Sequence, residues 1–279
     1  MDWVSAHLFS HGDLDDVVLG LVGPLVATLG HEGLTRRWFF LRYWDGGPHV
    51  RLRVLAEPGR RGDVERALTG HAETYFAAHA SADRVTGAEY ARYAPALATH
   101  ERTVAAAALY PNNSLQLIPY QPEHDRYGYG AVMDSVEMHF AESSRLTLDL
   151  LARGPTRAER HTTALAMLLL SWFTAADRGL APALAAPATP VQTPGAARSI
   201  ARSMRRLVDR AGELPDEGTF PRWAWSVARL CDALTRHGRP AQPGAAVDLC
   251  AHLACNRLGV DIEAEADLRS LAHALAAPS

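Results

Sequence analysis

The sequence contains few of the features that mark several large classes of protein. Its 279 residues include three cysteines, Cys231, Cys250 and Cys255, and no C-x-x-C pair. A disulfide framework is therefore excluded, and a reducing compartment is expected. No basic N-terminal region precedes an apolar run, and the most apolar stretch, residues 163–173, is too short to cross a bilayer. We expect a cytoplasmic protein with no membrane partner.

The charge balance and the missing motifs exclude further classes. With 28 Lys and Arg against 31 Asp and Glu, the net charge is −3, so the basic excess typical of nucleic-acid binding is lacking. The sequence has no G-x-x-x-x-G-K-[ST], no H-E-x-x-H and no G-x-S-x-G. Its 13 histidines form no grouping with metal-ligand spacing. We therefore expect no direct nucleic-acid partner, no metal and no cofactor.

The order of the predicted elements indicates the fold class. Strands are expected early, at residues 4–9, 38–43, 49–54 and 114–120, and the second and third form a hairpin. Helices are expected over residues 17–29, 64–79, 88–107, 129–151, 158–176, 196–211, 221–237, 245–258 and 264–275. This pattern predicts an α+β fold, one domain over residues 1–279, with an antiparallel or mixed sheet built from the early strands and many helices packed on it. The Pro- and Ala-rich segment 180–195 is a candidate internal linker.

The predicted strand 49–54 is the first segment that could carry chemistry. Alternation places His49, Arg51 and Arg53 on one face and three apolar residues on the other. Two guanidiniums beside an imidazole form a surface suited to a carboxylate, because Arg makes planar bidentate pairs with that group. The same alternation also describes a half-exposed strand with a solvated polar face.

Two further segments are rich in groups that could act as acids or bases. In residues 120–130, Glu123 and Arg126 could face a ligand or simply pair with each other at the entry to a helix. Further along, His252 precedes Asn256 by four residues on a predicted helix, so the two share a face. A histidine there could be a general acid or base, or an ordinary structural residue.

Four segments follow one another in a characteristic order. They are Phe39-Phe40-Leu41-Arg42-Tyr43 with Gly47-Pro48-His49-Val50-Arg51-Leu52-Arg53, then Tyr120-x-x-Glu123-x-x-Arg126-Tyr127-Gly128, then Glu137-x-x-Phe140-x-x-Ser143, and finally His252-x-x-x-Asn256-Arg257-Leu258. In combination they resemble the elimination domain of class I lanthipeptide dehydratases. That domain also occurs as small standalone proteins in thiopeptide and related peptide pathways.

The resemblance implies a reaction and a set of residues for it. A separate glutamyl-tRNA-dependent protein, acting in trans, would glutamylate Ser or Thr of a ribosomally made precursor peptide. This chain would then eliminate glutamate and leave dehydroalanine or dehydrobutyrine. The implied catalytic residues are Arg126, His252 and Glu123, and the implied substrate-binding residues are Arg51, Arg53, His49, Tyr120 and Tyr127. A homodimer is the default expectation for the oligomeric state.

The sequence departs from the family pattern in places, and two alternative functions stay open. The usual Arg-Tyr-Gly-Gly is here Arg126-Tyr127-Gly128-Tyr129, and the connection over residues 56–114 is longer than usual. One alternative is a pyridine synthase that joins two dehydroalanines by a formal aza-[4+2] cycloaddition and expels the leader peptide. The other is a non-catalytic scaffold for a precursor peptide or a partner dehydratase. The retained Arg51, Arg53, Glu123, Arg126 and His252 favour glutamate elimination over cycloaddition.

Overall fold

The computed structural model describes residues 2–101, 105–106, 108–180, 191–210, 217–237 and 243–276. The chain divides into two compact units, Met1–Gln121 and Pro122–Ser279. The α+β prediction is confirmed, since the first unit holds a small sheet with helices and every element in the described part of the second unit is a helix. The candidate linker 180–195 lies largely outside the described residues, and the single domain stays a prediction.

The first unit is built on a four-stranded antiparallel sheet. The strands are β1 (Trp3–Phe9), β2 (Thr35–Tyr43), β3 (His49–Ala56) and β4 (Ser114–Leu117), in the order β2-β3-β1-β4. The predicted hairpin is the β2–β3 pair. The strand predicted to reach residue 120 ends earlier, at Leu117. The backbone of Ile118 still donates to Ser5, but Pro119 has no N–H with which to continue the ladder.

The helices of the first unit are α1 (Leu14–Val17), α2 (Gly23–His31), α3 (Arg61–Ala78) and α4 (Gly87–Glu101), with a π-helical turn, Val18–Val22, between α1 and α2. The apolar face of the sheet is buried, and α3 contacts both β1 and β3. The stretch Leu14–His31 is long and apolar enough to cross a membrane by length and composition alone. Its Leu21, Leu25 and Leu29 are buried, so we interpret it as part of the core.

The helix predicted over residues 88–107 is shorter in the structure. It ends at Glu101, and Ala106 is not helical. The backbone N–H of Ala106 donates to Asp45 Oδ1 at 2.6 Å, in the turn of the β2–β3 hairpin. Tyr90 of α4 donates from its hydroxyl to the same oxygen at 3.1 Å. Ala106 is therefore held by the hairpin turn rather than by helical hydrogen bonds.

The second unit contains α5 (His124–Tyr127), α6 (Ala131–Leu151), α7 (Arg157–Ala176), α8 (Gly195–Asp209), α9 (Thr219–His237), α10 (Pro243–Leu258) and α11 (Ile262–Ala276). The apolar α7 contacts α8, α9, α10 and α11 and forms the centre of the core. All but α5 were predicted to within about two residues. The helix expected from residue 129 begins at Ala131, because Gly130 has φ +61° and is outside the helical region.

Candidate functional site

The polar face of the sheet carries the predicted residues of β3 and a histidine from β1. In the strand register, His49 lies opposite Phe9, Arg51 opposite His7, and Arg53 opposite Ser5. Residues directly opposite in an antiparallel pair point to the same face. The predicted common face of the three β3 side chains is thus confirmed. We call His7, His49, Arg51 and Arg53 the basic face.

Both histidines of the basic face are neutral at pH 7. The Nδ1–H of His49 donates to the carbonyl of Gly47 at 2.7 Å, and its Nε2 accepts from Arg51 Nε at 3.3 Å. The ring of His7 stacks on that of His49, with centroids 4.8 Å apart. Burial, with a smaller effect of the neighbouring guanidiniums, lowers the pKa of His49 to about 3 and also lowers the pKa of His7.

Arg51 is oriented by its neighbours on the hairpin. Its guanidinium carbon lies 3.3 Å from the centre of the Tyr43 ring, in a cation–π contact. Asp45 Oδ2 is 4.0 Å from Nη2, at the limit of an ion pair. The side chain is about one quarter exposed, so Arg51 keeps access to a ligand while its plane is fixed.

Arg53 is buried without a compensating acid. Only 8% of the residue is exposed, Nη2 lies 3.2 Å from His7 Nε2, and the guanidinium carbon is 5.5 Å from the centre of the Tyr120 ring. Nη1 has no hydrogen-bond partner, and no carboxylate among the described residues pairs with this side chain. Burial and the nearby Arg51 lower its pKa to about 9. At pH 7 it is still charged, and that charge is uncompensated.

Two more polar groups beside Arg53 were missed by the sequence analysis. Ser5 and Trp3 are buried on the same face of β1, and neither Ser5 Oγ nor Trp3 Nε1 has a hydrogen-bond partner. The Trp3 ring lies 5.5 Å from that of Tyr120. The sequence predicted the first strand but not its pairing, so these residues and His7 could not be assigned to the basic face. The alternation of β1 was the available signal.

In the second unit, Glu123 and Arg126 pair with each other. Nη1 of Arg126, on α5, lies 3.1 Å from Oε2 of Glu123, the residue just before that helix, and both side chains are about half exposed. Tyr127 is buried, and its ring meets Phe140 edge-on at 5.5 Å. Burial raises the pKa of Tyr127 well above its usual value. Its substrate-binding role stays a prediction, and its visible contacts are those of a core residue.

Arg257 joins two of the family segments inside the helical core. It is fully buried, its Nη1 donates to Ser143 Oγ at 3.2 Å, and its guanidinium lies 5.2 Å from the ring of Phe140. Burial lowers its pKa to about 10. The spacing Phe140-x-x-Ser143 therefore places both residues on the face of α6 that contacts Arg257. This contact is a structural role.

His252 is hydrogen-bonded to a buried carboxylate that the sequence analysis did not identify. Its Nδ1 lies 2.9 and 2.8 Å from the two oxygens of Glu265, on α11, and the imidazole side chain is 40% exposed. Glu265 also accepts from Arg269 Nε at 2.7 Å. Burial alone would raise the pKa of Glu265, but the bonds from His252 and Arg269 outweigh it and lower the pKa. A half-exposed imidazole held by a carboxylate is equipped to move a proton.

The predicted residues fall into two sets of four. His49, Arg51, Arg53 and Tyr120 lie close together in the first unit, whereas Glu123, Arg126, Tyr127 and His252 belong to the second. No group of three or more His, Cys, Asp or Glu among the described residues could hold a metal ion.

The sequence matches a family model over residues 3–276, and that family is described as the C-terminal part of lantibiotic biosynthesis dehydratases. The chain belongs to this family. The resemblance inferred from the four segments is thereby confirmed.

Solved structures share the fold. A pyridine synthase, TbtD, from thiomuracin biosynthesis superposes with a TM-score of 0.75 at 16% identity, covering 98% of this chain and 97% of that one. The tRNA-dependent lantibiotic dehydratase MibB from Microbispora sp. 107891 gives 0.60 at 20% identity, over 99% of this chain and 28% of MibB. TsrL gives 0.59 at 17% identity, over 98% and 93%. A comparison with curated protein sequences returned no match.

Proposed function

We propose that the chain is a standalone elimination enzyme of ribosomal peptide natural product biosynthesis. It would remove glutamate from glutamylated Ser or Thr of a precursor peptide, leaving dehydroalanine or dehydrobutyrine. Membership of the dehydratase C-terminal family supports the general assignment. The elimination reaction in particular is supported by the buried guanidinium of Arg53, whose charge no acid among the described residues compensates.

A carboxylate ligand would satisfy this guanidinium. A buried charge without a partner is costly, and an anion that supplies hydrogen-bond acceptors removes much of that cost. The glutamyl ester carries one free carboxylate, which fits the unpartnered Nη1 of Arg53, with Arg51 beside it. Trp3 Nε1 adds a donor and Ser5 Oγ a hydroxyl, on the same face of the sheet. These groups favour an anion and disfavour a cation.

The remaining residues match the needs of the elimination. A base must take the proton from Cα of the esterified residue, the Cβ–O bond then breaks, and glutamate leaves as a carboxylate. We assign His252 as the base because its imidazole is 40% exposed and its Nδ1 bonds the buried carboxylate of Glu265. Arg126 would oppose the negative charge that develops on the enolate or the leaving group, with Glu123 holding its guanidinium.

The proposal includes the partners and the location. The substrate is a ribosomally made precursor peptide, and a separate glutamyl-tRNA-dependent protein glutamylates it in trans. The likeness to part of MibB, which is described as tRNA-dependent, supports that division of labour. A cytoplasmic location and a homodimer are further parts of the proposal.

A pyridine synthase is the second candidate. The fold likeness to TbtD extends over nearly the full length of both chains, whereas MibB is matched over 28% of its length. Tyr129 is also exposed and stacks on His124 at 4.4 Å, where the family pattern has glycine. This exposed aromatic pair is a surface that simple glutamate elimination does not need.

Mass spectrometry with two substrates separates the candidates. The protein is incubated alone with a glutamylated precursor peptide and, separately, with a fully dehydrated one. Loss of glutamate from the first peptide, with a dehydro residue left behind, supports elimination. Release of the leader from the second supports pyridine formation. If neither peptide changes but both bind, the chain acts as a scaffold and the proposed function is wrong.

A further inference from the structure

Glu265 lies at the end of a fixed chain of hydrogen bonds. Its Oε1 accepts from Arg269 Nε at 2.7 Å on the same helix. Arg269 Nη1 in turn donates to both oxygens of Asp248, at 2.7 and 3.0 Å. Asp248 Oδ1 also accepts from Trp172 Nε1 at 3.0 Å. These bonds tie α7, α10 and α11 together and leave the carboxylate of Glu265 little freedom.

The geometry fixes the tautomer of the neutral His252 ring. Both oxygens of Glu265 lie within 2.9 Å of Nδ1, and an ionised carboxylate can only accept a hydrogen bond. Nδ1 must therefore carry the proton. The lone pair of the neutral ring is then on Nε2, the nitrogen that faces away from Glu265. That nitrogen is the one available to take a proton.

The network also supplies a counter-charge for a protonated ring. Asp248 and Glu265 each contribute one negative charge and Arg269 one positive charge, so the three groups sum to one negative charge. Glu265 is only 6% exposed, and the other two are about one quarter exposed. When His252 gains a proton, the four groups together become neutral. The cluster therefore supplies the negative charge that opposes an imidazolium formed during the reaction.

We propose that Glu265 is a positioning residue that prepares His252 for proton abstraction, an inference that rests on the proposed function. In the step, Nε2 of His252 takes the Cα proton of the glutamylated residue. The electron pair forms the Cα–Cβ double bond, and the Cβ–O bond breaks so that glutamate departs as a carboxylate. The imidazolium is balanced by Glu265 until the proton passes to water.

The first test is spectroscopic and needs no substrate. The protein is labelled with ¹⁵N-histidine and studied by NMR. The signals of the His252 ring nitrogens are assigned because they are missing from the spectrum of His252→Ala. The neutral wild-type ring should show a protonated Nδ1 and an unprotonated Nε2. In Glu265→Gln the amide can donate as well as accept, so the ring should shift to a mixture of tautomers or to the opposite one. A wild-type ring with the proton on Nε2 would overturn the proposal, whatever the enzymatic activity.

The second test is kinetic and uses a matched control. On a glutamylated peptide, Glu265→Gln should lower kcat by roughly a hundredfold with little change in KM, since base catalysis typically contributes that much. Asp267→Asn removes the same charge from an exposed position on α11 and should leave kcat unchanged. Glu265→Asp should recover part of the rate, and circular dichroism checks that each variant is folded.

The outcomes of the two tests are distinguishable. If the wild type eliminates no glutamate, the proposed function fails, and the tautomer measurement still decides what Glu265 does to His252. If the wild type is active and folded Glu265→Gln keeps its full kcat, Glu265 has no positioning role. If Glu265 acts through His252, the double variant should be no slower than His252→Ala alone. The inference is also wrong if the two fold-losses of kcat multiply in the double variant, since that would show independent effects.

Discussion

At the residue scale, the proposed role of Arg53 in function would conflict with the stability of the fold. Its guanidinium is buried and charged, its Nη1 has no partner, and it lies beside a second guanidinium, that of Arg51. In the protein without substrate, this arrangement costs free energy. It is explained if the site awaits an anion, and the free carboxylate of a glutamyl ester is the anion that the proposed reaction provides.

We therefore predict opposite effects of Arg53→Met on activity and stability. The elimination rate should fall by about a hundredfold or more, because an anion-binding donor is lost. The free energy of unfolding should stay the same or rise by about 1 to 4 kcal/mol, because an uncompensated buried charge is replaced by an apolar side chain.

Single-turnover kinetics and urea unfolding measure the two effects. Arg36→Met is the control, since Arg36 is exposed and pairs with Glu57. Arg36→Met should change the free energy of unfolding by no more than about 0.5 kcal/mol, and it should leave the elimination rate unchanged. A large loss of stability in Arg53→Met would mean that this arginine is a structural residue.

Buried neutral histidines should make the protein sensitive to acid. His49 and His139 both have pKa values lowered to about 3, chiefly by burial, whereas the unfolded chain titrates near 6.5. Between those values the unfolded state binds more protons, so stability falls as the pH falls below 6.5. The expected loss is roughly 1.4 kcal/mol per pH unit for each histidine.

Urea unfolding at pH 7 and pH 5 measures this loss. His139 lies in the core, where its Nδ1 is 2.8 Å from Ser226 Oγ. In His139→Gln, the difference in unfolding free energy between the two pH values should be smaller than in the wild type. The comparison within each variant removes the cost of the substitution itself. Equal differences in both proteins would show that His139 does not contribute.

At the scale of elements, the hairpin that presents the basic face depends on its turn. Gly46 has φ +76°, and a Cβ there would lie 2.6 Å from the ring of Tyr110. The backbone N–H of Tyr110 also donates to the carbonyl of Gly46 at 2.8 Å. The turn before His49 is therefore shaped by the segment that follows α4. This explains why the long connection over residues 56–114 bears on the candidate site.

Gly59 offers a matched comparison for this contact. It has the same φ of +76° but nothing within 4 Å of an added Cβ. Both Gly46→Ala and Gly59→Ala should cost about 1 to 3 kcal/mol of unfolding free energy from backbone strain. Gly46→Ala should cost more, and the excess should vanish when Tyr110 is also changed to Ala. Thermal or urea unfolding of these variants checks this, and identical costs for the two glycines would refute the contact.

Local patterns predicted most elements, and long-range contacts explain what was missed. The β2–β3 hairpin could be predicted because its alternation and its Gly-Gly turn lie within a few residues. The single-turn α5 is too short to show a period. His7 meets Arg53 across 46 positions, and Glu265 meets His252 across 13. Strand register and helix packing determine such contacts, and neither could be derived from one sequence.

At the scale of the whole molecule, the chain combines a sheet-based unit that carries the basic face with a helical unit that carries His252. The family was identifiable because its four segments recur in order along most of the chain, and the match over residues 3–276 confirms it. Membership of the family does not by itself determine which reaction the chain catalyses. Related folds at 16 to 20% identity include both a pyridine synthase and a lantibiotic dehydratase, so fold alone does not choose between them.

In the proposed reaction, the chain eliminates glutamate and binds its free carboxylate at Arg53. The most direct test compares single-turnover elimination, followed by mass spectrometry, from two peptides that differ only in the ester on one Ser. One carries glutamate and the other glutamine, which replaces the free carboxylate with an amide. The glutamyl ester should react about a hundredfold faster or more, and Arg53→Met should abolish this preference. Equal rates for the two esters in the wild type would show that elimination does not depend on binding the free carboxylate.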